Sequence, residues 1–586
     1  MKQTSWRIHQ KKADFNELGK RLGVSPYIVR IMRNRGLTTY EEMYEFLNAG
    51  MEALHSPWLM KGMKEGVALL KEKIASGKKI HIIGDYDVDG VCSVAILYRA
   101  LKNAGANVSY RLPHRIRDGY GMNMQMVKDA HEKGVDTILT CDNGIAALAE
   151  VELAKSLGMC VMVTDHHSVQ EAGIPKADVV IDPHVEGETY PFPGICGAVV
   201  SWKIMLALYE SLGISAGLLY DMTEFAGLAT IQDSMELIGE NRIIVKEAIR
   251  RIKNSSFPGI RCLMDVCSLK SETLRAGNLA FGINPCLNAG GRLDSADRAL
   301  ELLLCENDED AREKAEYLKG LNDQRKGMQD KAIEDAKKYL AQNGREDANV
   351  LVAVLTDCHE SLAGLVAGRL KEEYYRPCII LTKTENGLKG SARSIEGYNI
   401  FEELQKCKEL LSKFGGHPMA AGLSLPEENA DRLYEMLNAS CTLTENELVE
   451  KVFADMVMPP YAINHEWVAQ LDRLEPYGEG NPSPLFGANE LMLMSMKFMG
   501  ANSDHLKLTL MDSLGRSFTA LKFYSAAEFD AKVTAQFGDG IRAALLKGYT
   551  GKSPIGISLM YEPLENEYRG IVTQELKIKD FKLKML

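Results

Sequence analysis

Closely paired cysteines are absent from this sequence: its 586 residues include twelve cysteines, but no two of them form a C-x-x-C pair. This absence excludes a zinc knuckle, and the scattered positions indicate reduced thiols rather than a disulfide framework. The first residues, MKQTSWRIHQKK, lack the apolar segment of a secretory signal, and no apolar run has the length of a membrane span. We therefore expect a cytoplasmic protein without a membrane partner.

An excess of positive charge is also missing, because the formal net charge is −11. A protein that coats nucleic acid nonspecifically is thus disfavoured, although a local basic groove remains compatible with this balance. With 46% hydrophobic and 25% charged residues, the chain has the composition of a globular protein. Its length predicts roughly three or four domains.

What the sequence does contain is an acidic motif, KKIHIIGDYDVDGVC, at residues 78–92. The apolar run IHII predicts a buried strand, and Asp85, Asp87 and Asp89 follow it at alternate positions. Burying an unpaired carboxylate costs several kcal/mol or forces it to take a proton. Divalent cations remove this cost because hard cations prefer oxygen ligands. The motif alone predicts either a metal site or a solvated acidic turn.

Short apolar runs alternate with amphipathic stretches after this motif. The alternation predicts a parallel sheet with crossover helices, and binding sites in such sheets lie at the carboxyl ends of the strands. The further strands expected are Val108–Leu112, Thr137–Cys141 and Cys160–Val163, and the helices expected are Val91–Ala104, Asn123–Lys133 and Ala146–Leu157.

Acidic and histidine residues follow these strands. Asp142 lies in CDNG after one strand, and Asp165, His166 and His167 lie in TDHH after the next. A later helical stretch, residues 225–232, ends at Asp233. Because the carboxyl ends of neighbouring parallel strands meet at one edge of the sheet, we expect these groups to converge with the three aspartates. The convergence favours the metal site over the acidic turn.

A second α/β unit is predicted from about residue 349. The long stretch before it (296 to about 342) is almost free of helix breakers and is expected to be helical and to connect the lobes. Two glycine-rich segments in this unit, KGSARS and FGGHPMAAGLS, contain Ser391, Arg393 and His417. These side chains are donors suited to phosphate oxygens, although purely structural turns are the alternative. The elements expected here are a strand at Val350–Leu355, a helix at Leu365–Glu373 and a strand at Cys378–Thr382.

From about residue 448 the pattern becomes strand-like, as in HLKLTL (His505–Leu510) and IRAALL (Ile541–Leu546). This texture predicts a small β-barrel, for which the oligonucleotide-binding (OB) type is a candidate. The expected fold class is therefore α/β, with two α/β lobes joined by a long helix and a C-terminal OB-like barrel. The expected domains are a helical segment (1–75), a catalytic lobe (76–255), a helical connector (256–345), a second lobe (346–445) and the barrel (446–586).

Several of these motifs resemble those of a known family. GDYDVDG, CDNG and TDHH are similar to the first three motifs of the DHH phosphoesterase superfamily, and ATIQD, ending at Asp233, is similar to the fourth. Five further segments resemble the RecJ family of single-strand-specific 5′→3′ exonucleases, namely PHRIRDGYGMN, GENR, NPCLNAGGRL, GGHPMAAG and LEPYGEGNPSPLF. The resemblance implies that the two lobes are a DHH domain and a DHH-associated domain.

The resemblance also implies a two-metal phosphodiesterase that binds two Mn²⁺ or Mg²⁺ ions. Asp142 would bridge the ions, His167 would contact the scissile phosphate, and Asp165 would orient a neighbouring histidine. Many superfamily members carry a histidine where this chain has Ile83, and Asp85 is expected to replace it as a ligand. The implied metal ligands are Asp85 and Asp87 on the first ion, Asp89, His166 and Asp233 on the second, and Asp142 on both. The catalytic set is Asp87, Asp89, Asp142, His166, His167 and Asp233.

For the substrate, the resemblance implies single-stranded DNA, hydrolysed 5′→3′ to mononucleotides in repair and recombination. The residues expected to hold the strand phosphates near the 5′ end are Asn288, Arg292, Ser391, Arg393 and His417. His359 and Arg369 are further expected contacts, although Cys358 and Ser361 depart from the family pattern beside them. The protein is expected to be a monomer that works with a single-strand-binding protein and a helicase.

Three other functions stay open. The first is a phosphodiesterase of short RNAs or cyclic dinucleotides, although such relatives are usually shorter and lack the barrel. The second is a DHH-type pyrophosphatase, which conflicts with the extra domains and with Ile83. The third is a non-catalytic nucleic-acid or replication-partner binder, which would be expected to have lost motif acids that this chain keeps.

Overall fold

The structure is a computed structural model that describes residues 2–568 and 571–586. These residues form two compact units. The first unit is Gly50–Glu450 together with residues 2–3 and Gly478–Gly480; the second is Thr4–Ala49, Lys451–Tyr477 and Asn481–Leu586. The predicted domain ranges stay predictions. Of the helices in the described ranges, not one has both the length and the apolar composition that a membrane crossing requires.

The first lobe is built on a five-stranded sheet whose neighbouring strands all pair in parallel, which confirms the predicted parallel sheet. Ile80, Ile82 and Ile83 of the strand Lys79–Ile83, an inner strand of this sheet, are fully buried, because helices cover both faces. The strands, in spatial order, are Asn107–Arg111, Lys79–Ile83, Thr137–Thr140, Cys160–Thr164 and Val179–Ile181. The helices are Met63–Ala75, Val88–Asn103, Met124–Glu132 and Leu148–Ser156.

A helical region follows the sheet and connects the two lobes. The stretch predicted to be helical, from residue 296 to about 342, is helical except for a break at residues 305–307. Asn307 caps the longer helix that follows by accepting a hydrogen bond from the Asp310 N–H. The helices here are Gly197–Leu212, Gly217–Asp221, Thr223–Gln232, Gly239–Ile252, Pro258–Val266, Ala276–Asn278, Asn284–Leu293, Asp297–Leu304 and Asp308–Gln342, with a wide turn of π type at Leu279–Ile283.

The second lobe contains a mixed five-stranded sheet. Its register places His417 beside Ala420 and Ala420 beside Arg393, so these residues lie in one row across three strands. The strands, in spatial order, are Lys413–His417, Ala420–Leu425, Gly387–Arg393, Cys378–Thr384 and Leu351–Leu355. The helices are Ala363–Tyr374, Ile400–Lys406 and Ala430–Ser440.

The second unit contains the predicted barrel, a ring of five strands that closes where Phe486–Met499 pairs with Ile555–Tyr568. The prediction of a strand at IRAALL is wrong: the segment is helical, and Ile541 and Leu545, one helical turn apart, pack against the barrel core. The other ring strands are His505–Met511, Ser517–Lys522 and Ile571–Met585, and Met456–Val457 adds to the first strand. The helices are His465–Asp472 and Ala526–Lys547.

Helices from the chain's N-terminal end share the barrel's core. Ile28, Ile31, Met32 and Met43 are fully buried and belong to the same apolar cluster as the inward side chains of the barrel. The N-terminal elements are the strand Thr4–Ile8, which pairs with Glu450–Ala454, and the helices Phe15–Leu22, Pro26–Asn34 and Tyr40–Asn48. These residues therefore belong to the compact unit of the barrel rather than to that of the first lobe.

Candidate active site

The aspartate loop follows the strand Lys79–Ile83 of the first lobe. Asp87 begins the next helix as its N-cap, because Asp87 Oδ1 accepts hydrogen bonds from the N–H groups of Asp89 (3.0 Å) and Gly90 (3.2 Å). A Cβ at Gly90 would lie 2.4 Å from the carbonyl oxygen of Asp85, so a larger residue does not fit. Asp85 Oδ1 accepts a hydrogen bond from Gly121 N–H at 3.1 Å. The loop thus fixes its carboxylates through backbone contacts.

The CDNG segment brings Asp142 to the same edge of the sheet. Asp142 has a left-handed backbone conformation (φ 58°), which polar Asp tolerates better than most residues. The neighbouring Asn143 secures this turn: its Nδ2 donates to the carbonyl oxygen of Ile83 at 3.0 Å, and its Oδ1 accepts from Met122 N–H at 3.1 Å. CDNG is therefore tied directly to the strand that carries the aspartate loop.

His166 lies between three of the carboxylates. Its Nε2 is 3.1 Å from Asp142 Oδ1, 3.5 Å from Asp89 Oδ2 and 3.7 Å from Asp233 Oδ2. Asp233 ends the helix Thr223–Gln232 and is half-buried, whereas His166 and the other two acids are buried. These four side chains, which the sequence predicts to converge at one edge of the sheet, therefore lie together.

The same side chains form three overlapping sets of possible metal ligands. The sets are Asp85, Asp87 and Asp142; Asp89, His166 and Asp233; and Asp142, His166 and His167, and the ligand atoms within each set lie within 4.8 Å of one another. Asp142 belongs to two sets, as a bridging ligand would. Carboxylate oxygens with imidazole fit Mn²⁺ and, where oxygen dominates, Mg²⁺.

The pKa values of the clustered side chains are those expected of a site that binds cations. Burial, reinforced by neighbouring carboxylates, raises the pKa of Asp85 and of Asp233 to about 8. The same causes raise the pKa values of Asp87 and Asp142. Burial lowers the pKa of His166, which favours the neutral imidazole that metals bind. Bound divalent cations would supply the charge that keeps these carboxylates ionised at neutral pH.

His167 lies at the exposed side of the cluster and is held as a cation. Its Nδ1 donates to Asp165 Oδ1 at 2.7 Å, and its Nε2 lies 3.2 Å from the hydroxyl of Tyr120, which donates to the carbonyl oxygen of Asp142. Burial opposes the charge, but the hydrogen bond and charge of Asp165 raise the pKa of His167 to about 9. The side chain of His167 is 42% exposed, so it can reach a ligand at the mouth of the site.

Two parts of the site were not predicted from the sequence: a pair of backbone N–H groups at the start of a helix, and the side chain of Tyr120. The N–H groups of Gly197 and Ala198, at the start of the helix Gly197–Leu212, each donate to a carboxylate oxygen of Asp89 at 2.7 Å. A Cβ at Gly197 would lie 2.7 Å from the Cβ of Asp142, so glycine is required there. The signal available was GAVV, a glycine directly before an apolar helical run. The other contributor is Tyr120, which lies in the segment PHRIRDGYGMN.

The helix Asn284–Leu293 connects the aspartate loop with the second lobe. A Cβ at Gly291 would lie 2.4 Å from the carbonyl oxygen of Tyr86, and Arg292 donates to the carbonyl oxygen of Ser361 at 2.9 Å. Burial lowers the pKa of Arg292 to about 10. Asn288 is buried, and its Oδ1 has no hydrogen-bond partner among the described residues. Asn288 and Arg292, two of the predicted phosphate contacts, therefore lie on the helix between the aspartate loop and the second lobe.

In the second lobe, Arg393 and Ser391 lie together beside a helix N-terminus. Arg393 donates to Ser391 Oγ at 3.1 Å, and a Cβ at Gly364, near the start of the helix Ala363–Tyr374, would lie 2.8 Å from the guanidinium. His417 is exposed and follows in the same row of the sheet. Burial lowers the pKa of Arg393. A helix N-terminus beside a guanidinium and a hydroxyl suits an anion.

The two further strand contacts expected from the sequence, His359 and Arg369, lie on other segments of the second lobe. His359 accepts from Ser361 N–H and lies 2.8 Å from Ser361 Oγ, so it sits on the segment that Arg292 contacts. Arg369 lies six residues into the helix Ala363–Tyr374, about 9 Å beyond its start. It pairs with Glu372 at 3.7 Å. Arg369 is therefore not grouped with Ser391 and Arg393.

Family models match three parts of the chain. The DHH family, N-terminal domain, matches residues 79–230, the DHHA1 domain matches 347–442, and the RecJ OB domain matches 454–580. The single-stranded-DNA-specific exonuclease RecJ of Escherichia coli strain K12 is 33% identical over 82% of this chain and 86% of its own length. The chain belongs to the RecJ family. The RecJ of Bacillus subtilis strain 168 is 34% identical over 86% of this chain, which spans 64% of that longer relative.

A solved RecJ has the same architecture. The crystal structure of Thermus thermophilus RecJ in complex with Mn²⁺ is 28% identical, with a TM-score of 0.79 over 99% of this chain and 80% of its own. A second structure of that RecJ, in complex with Mg²⁺, gives a TM-score of 0.75 at 26% identity. The match extends over both units of the chain, and the two ions are those that the donor set of the acidic cluster fits.

Proposed function

We propose that the chain is a metal-dependent exonuclease that hydrolyses single-stranded DNA from the 5′ end and releases mononucleotides. The observation that carries this proposal is the set of overlapping ligand groups at the strand ends, in which Asp142 and His166 are each shared by two groups. Membership of the RecJ family supports the substrate, because the relatives it matches are named for single-stranded DNA. The geometry of the site supports the reaction class.

The ligand assignment is part of this proposal. Asp85 and Asp87 would hold one Mn²⁺ or Mg²⁺, Asp89, His166 and Asp233 would hold a second ion, and Asp142 would contribute to both sites. When bound, the ions would activate a water molecule and neutralise charge on the phosphate that this water attacks. The protein fixes the ligands beforehand: backbone N–H groups hold both oxygens of Asp89, and Asn143 secures the turn of Asp142.

His167 acts on the phosphate rather than on the ions. Its imidazolium is kept charged by Asp165, and its Nε2 faces the mouth of the site beside the Tyr120 hydroxyl. A hydrogen bond from this Nε2 to a nonbridging phosphate oxygen would stabilise the charge that develops as water attacks. Asp165 is a positioning residue in this scheme, since three of the N–H groups bonded to its carboxylate belong to His166 and His167.

Polarity follows from the second lobe. Ser391, Arg393 and His417 bind the 5′ phosphate, and Asn288 and Arg292 bind the next phosphates beside the aspartate loop. Support comes from the helix Asn284–Leu293, which contacts Tyr86 on one side and Ser361 on the other. A phosphate held in the second lobe would leave the following phosphodiester at the acidic cluster.

The decisive experiment uses a 5′-labelled single strand with Mn²⁺. Early release of labelled mononucleotide is expected; label that persists until only a few nucleotides remain would indicate 3′ polarity or a phosphodiesterase of short oligonucleotides. Asp142→Ala should abolish the release. A blunt duplex should be digested far more slowly, and equal rates would contradict single-strand selectivity.

We further propose that the protein acts as a monomer in the cytoplasm, in DNA repair and recombination, on strands supplied by a helicase and covered by a single-strand-binding protein. The family supports these steps, and light scattering combined with pull-down of the two partners tests them. A stable dimer, or a nuclease rate unchanged by either partner, would contradict the respective statement.

A further inference from the structure

Two cysteine thiols lie in contact beneath the helix that carries Asn288 and Arg292. Cys267 Sγ and Cys286 Sγ are 3.7 Å apart, and both face the carbonyl oxygen of Gly282, at 3.8 and 3.3 Å. Cys267 directly follows the helix Pro258–Val266, and Cys286 lies in the first turn of Asn284–Leu293. A disulfide needs about 2.05 Å between the sulfurs, so a short approach separates the thiols from a bond.

The two thiols differ in the way that a reactive pair requires. Cys267 is half-buried and open to a small oxidant, whereas Cys286 is buried. The hydrogen bond from Cys286 lowers the pKa of Cys267 against the effect of burial, and the charges of Lys319 and Lys326 add to the lowering. Cys286 Sγ also accepts a hydrogen bond from Asn322 Nδ2 at 3.4 Å. The accessible sulfur is thus the more nucleophilic one, and its neighbour is held in place.

We propose that Cys267 and Cys286 are a peroxide-sensitive thiol pair that forms a reversible disulfide. The Cys267 thiolate attacks hydrogen peroxide: a sulfur–oxygen bond forms, the oxygen–oxygen bond breaks, and hydroxide leaves to become water. Cys286 then attacks the Cys267 sulfur, the sulfur–sulfur bond forms, and a second hydroxide leaves and takes up the Cys286 proton. Two thiols lose two electrons, and one peroxide becomes two waters. A dithiol then reduces the disulfide to the two thiols by thiol–disulfide exchange and is itself oxidised.

The bridge would act on substrate binding through the helix that contains Cys286. Arg292 lies on the same helix, so a shift of this helix moves Arg292. The shift would also alter its contact with the carbonyl oxygen of Ser361. Drawing the sulfurs together replaces their contacts with Gly282 and pulls the helix start toward Cys267. Oxidation should therefore weaken binding of a single strand by about tenfold, the scale of one charge-assisted hydrogen bond to a phosphate. This consequence rests on the proposed function; the disulfide itself does not.

The first test maps disulfides in the full-length protein. The protein is treated with hydrogen peroxide in EDTA, which suppresses metal-catalysed oxidation, and is then digested without reductant for mass spectrometry. A linked peptide pair containing Cys267 and Cys286 is expected, and it should disappear with dithiothreitol. If both thiols remain free for alkylation while the half-buried Cys160 or Cys441 is oxidised, the proposal is overturned. Wild-type protein suffices, so no variant has to fold.

Variants then assign the two steps. In Cys286→Ser, Cys267 should stop at the sulfenic acid, which a dimedone probe traps; in Cys441→Ser, a change at another half-buried thiol, the bridge should form as before. A linked pair that still forms from Cys267 and some other cysteine in Cys286→Ser would contradict the assignment.

The consequence for binding is measured without catalysis. Fluorescence anisotropy of a 5′-phosphorylated single strand in EDTA should show the weaker affinity after oxidation, with recovery in dithiothreitol and no peroxide effect in Cys286→Ser. A disulfide that forms without any change in affinity would overturn the coupling to the substrate helix. Neither result depends on the strand being cleaved, so failure here is distinguishable from failure of the proposed nuclease.

Discussion

The two lobes of the first unit contain sites of opposite charge, and each site is unfavourable without its ligand. In the first lobe, burial raises the pKa values of Asp85, Asp142 and Asp233, and bound cations would favour their ionised form. In the second lobe, burial lowers the pKa of Arg393, and a bound anion would favour its charged form. The comparison teaches that a phosphate can bind directly to the cationic site of the second lobe, whereas a phosphate at the acidic site of the first lobe requires metal ions between it and the carboxylates.

The largest expected effect tests whether the acidic site depends on Asp142 as a shared ligand. Asp142→Ala should lower the rate of nucleotide release by about a thousandfold or more, because a residue in the acidic cluster contributes on the scale of several kcal/mol to the transition state. Single-turnover kinetics with saturating Mn²⁺ measures the loss.

A matched control is available at Asp182. It is fully buried, follows the adjacent strand Val179–Ile181 at the same edge, and burial raises its pKa to about 7, but it belongs to none of the ligand sets found among the described residues. Asp182→Asn should keep nearly the wild-type rate. Comparable loss in both variants would mean that burial of acid, rather than metal ligation, sets the activity.

The next effect concerns the cationic site. Arg393→Ala should weaken binding of a 5′-phosphorylated strand by about 10- to 100-fold, because a charge-assisted hydrogen bond to phosphate contributes about 1.5–3 kcal/mol. Anisotropy in EDTA measures this, and removal of the 5′ phosphate should abolish the difference between variant and wild type. Arg369→Ala is the matched arginine variant, since Arg369 lies further along the helix Ala363–Tyr374 and pairs with Glu372. An unchanged affinity in this variant would show that the loss is specific to Arg393, and an equal loss would assign Arg369 to the same phosphate site.

A smaller effect is expected on the melting temperature, whose pH dependence should reflect the buried carboxylates of the acidic site. The folded-state pKa values of Asp85 and Asp233, about 8, lie above the ordinary value near 4, so between these limits the folded protein holds protons that the unfolded chain releases. In EDTA the melting temperature should therefore fall as the pH rises from about 5 to about 9. Mn²⁺ should oppose this fall, most strongly at the alkaline end. Calorimetry that shows the same slope with and without Mn²⁺ would contradict the assignment of these acids as ligands.

The smallest effect is expected at Ser391. Its hydroxyl accepts from Arg393 and would donate to the phosphate, so Ser391→Ala should weaken strand binding by about two- to tenfold. Ser394→Ala is the matched change on the same segment: its buried hydroxyl donates to the carbonyl oxygen of Tyr398, and its loss should lower the melting temperature without changing affinity. The opposite pattern would reverse the two roles.

The sheet and the acidic cluster were predictable from the sequence because both rest on local patterns. Apolar runs of strand length alternate with helical segments, and Asp85, Asp142 and His166 each lie within three residues of the end of such a run. The parallel sheet, the barrel and the family are confirmed, whereas the roles of individual site residues stay predictions. The contacts of Asp89 with Gly197 and Ala198 were not predictable, since they join residues more than a hundred positions apart through backbone N–H groups.

The errors have physical causes of the same kind. The break between Asp297–Leu304 and Asp308–Gln342 was not predicted, because it contains no glycine or proline: Cys305 leaves the helical conformation and Asn307 caps the next helix. IRAALL reads as a strand by its β-branched start and apolar content, but the four-residue spacing of Ile541 and Leu545 meets the barrel core as a helix. The packing of the N-terminal helices on this core depends on contacts more than 400 residues distant in sequence, such as that of Asn34 with Asp455.

The closed ring of the barrel restricts how other molecules attach to it. In an open sheet, an outer strand offers unpaired backbone groups that a foreign peptide can extend by adding a strand. Here Phe486–Met499 pairs with both His505–Met511 and Ile555–Tyr568, so the described part of the ring has no first or last strand. Recruitment at the barrel must therefore use side chains and loops, whose chemistry can diverge without disturbing the hydrogen-bonded ring.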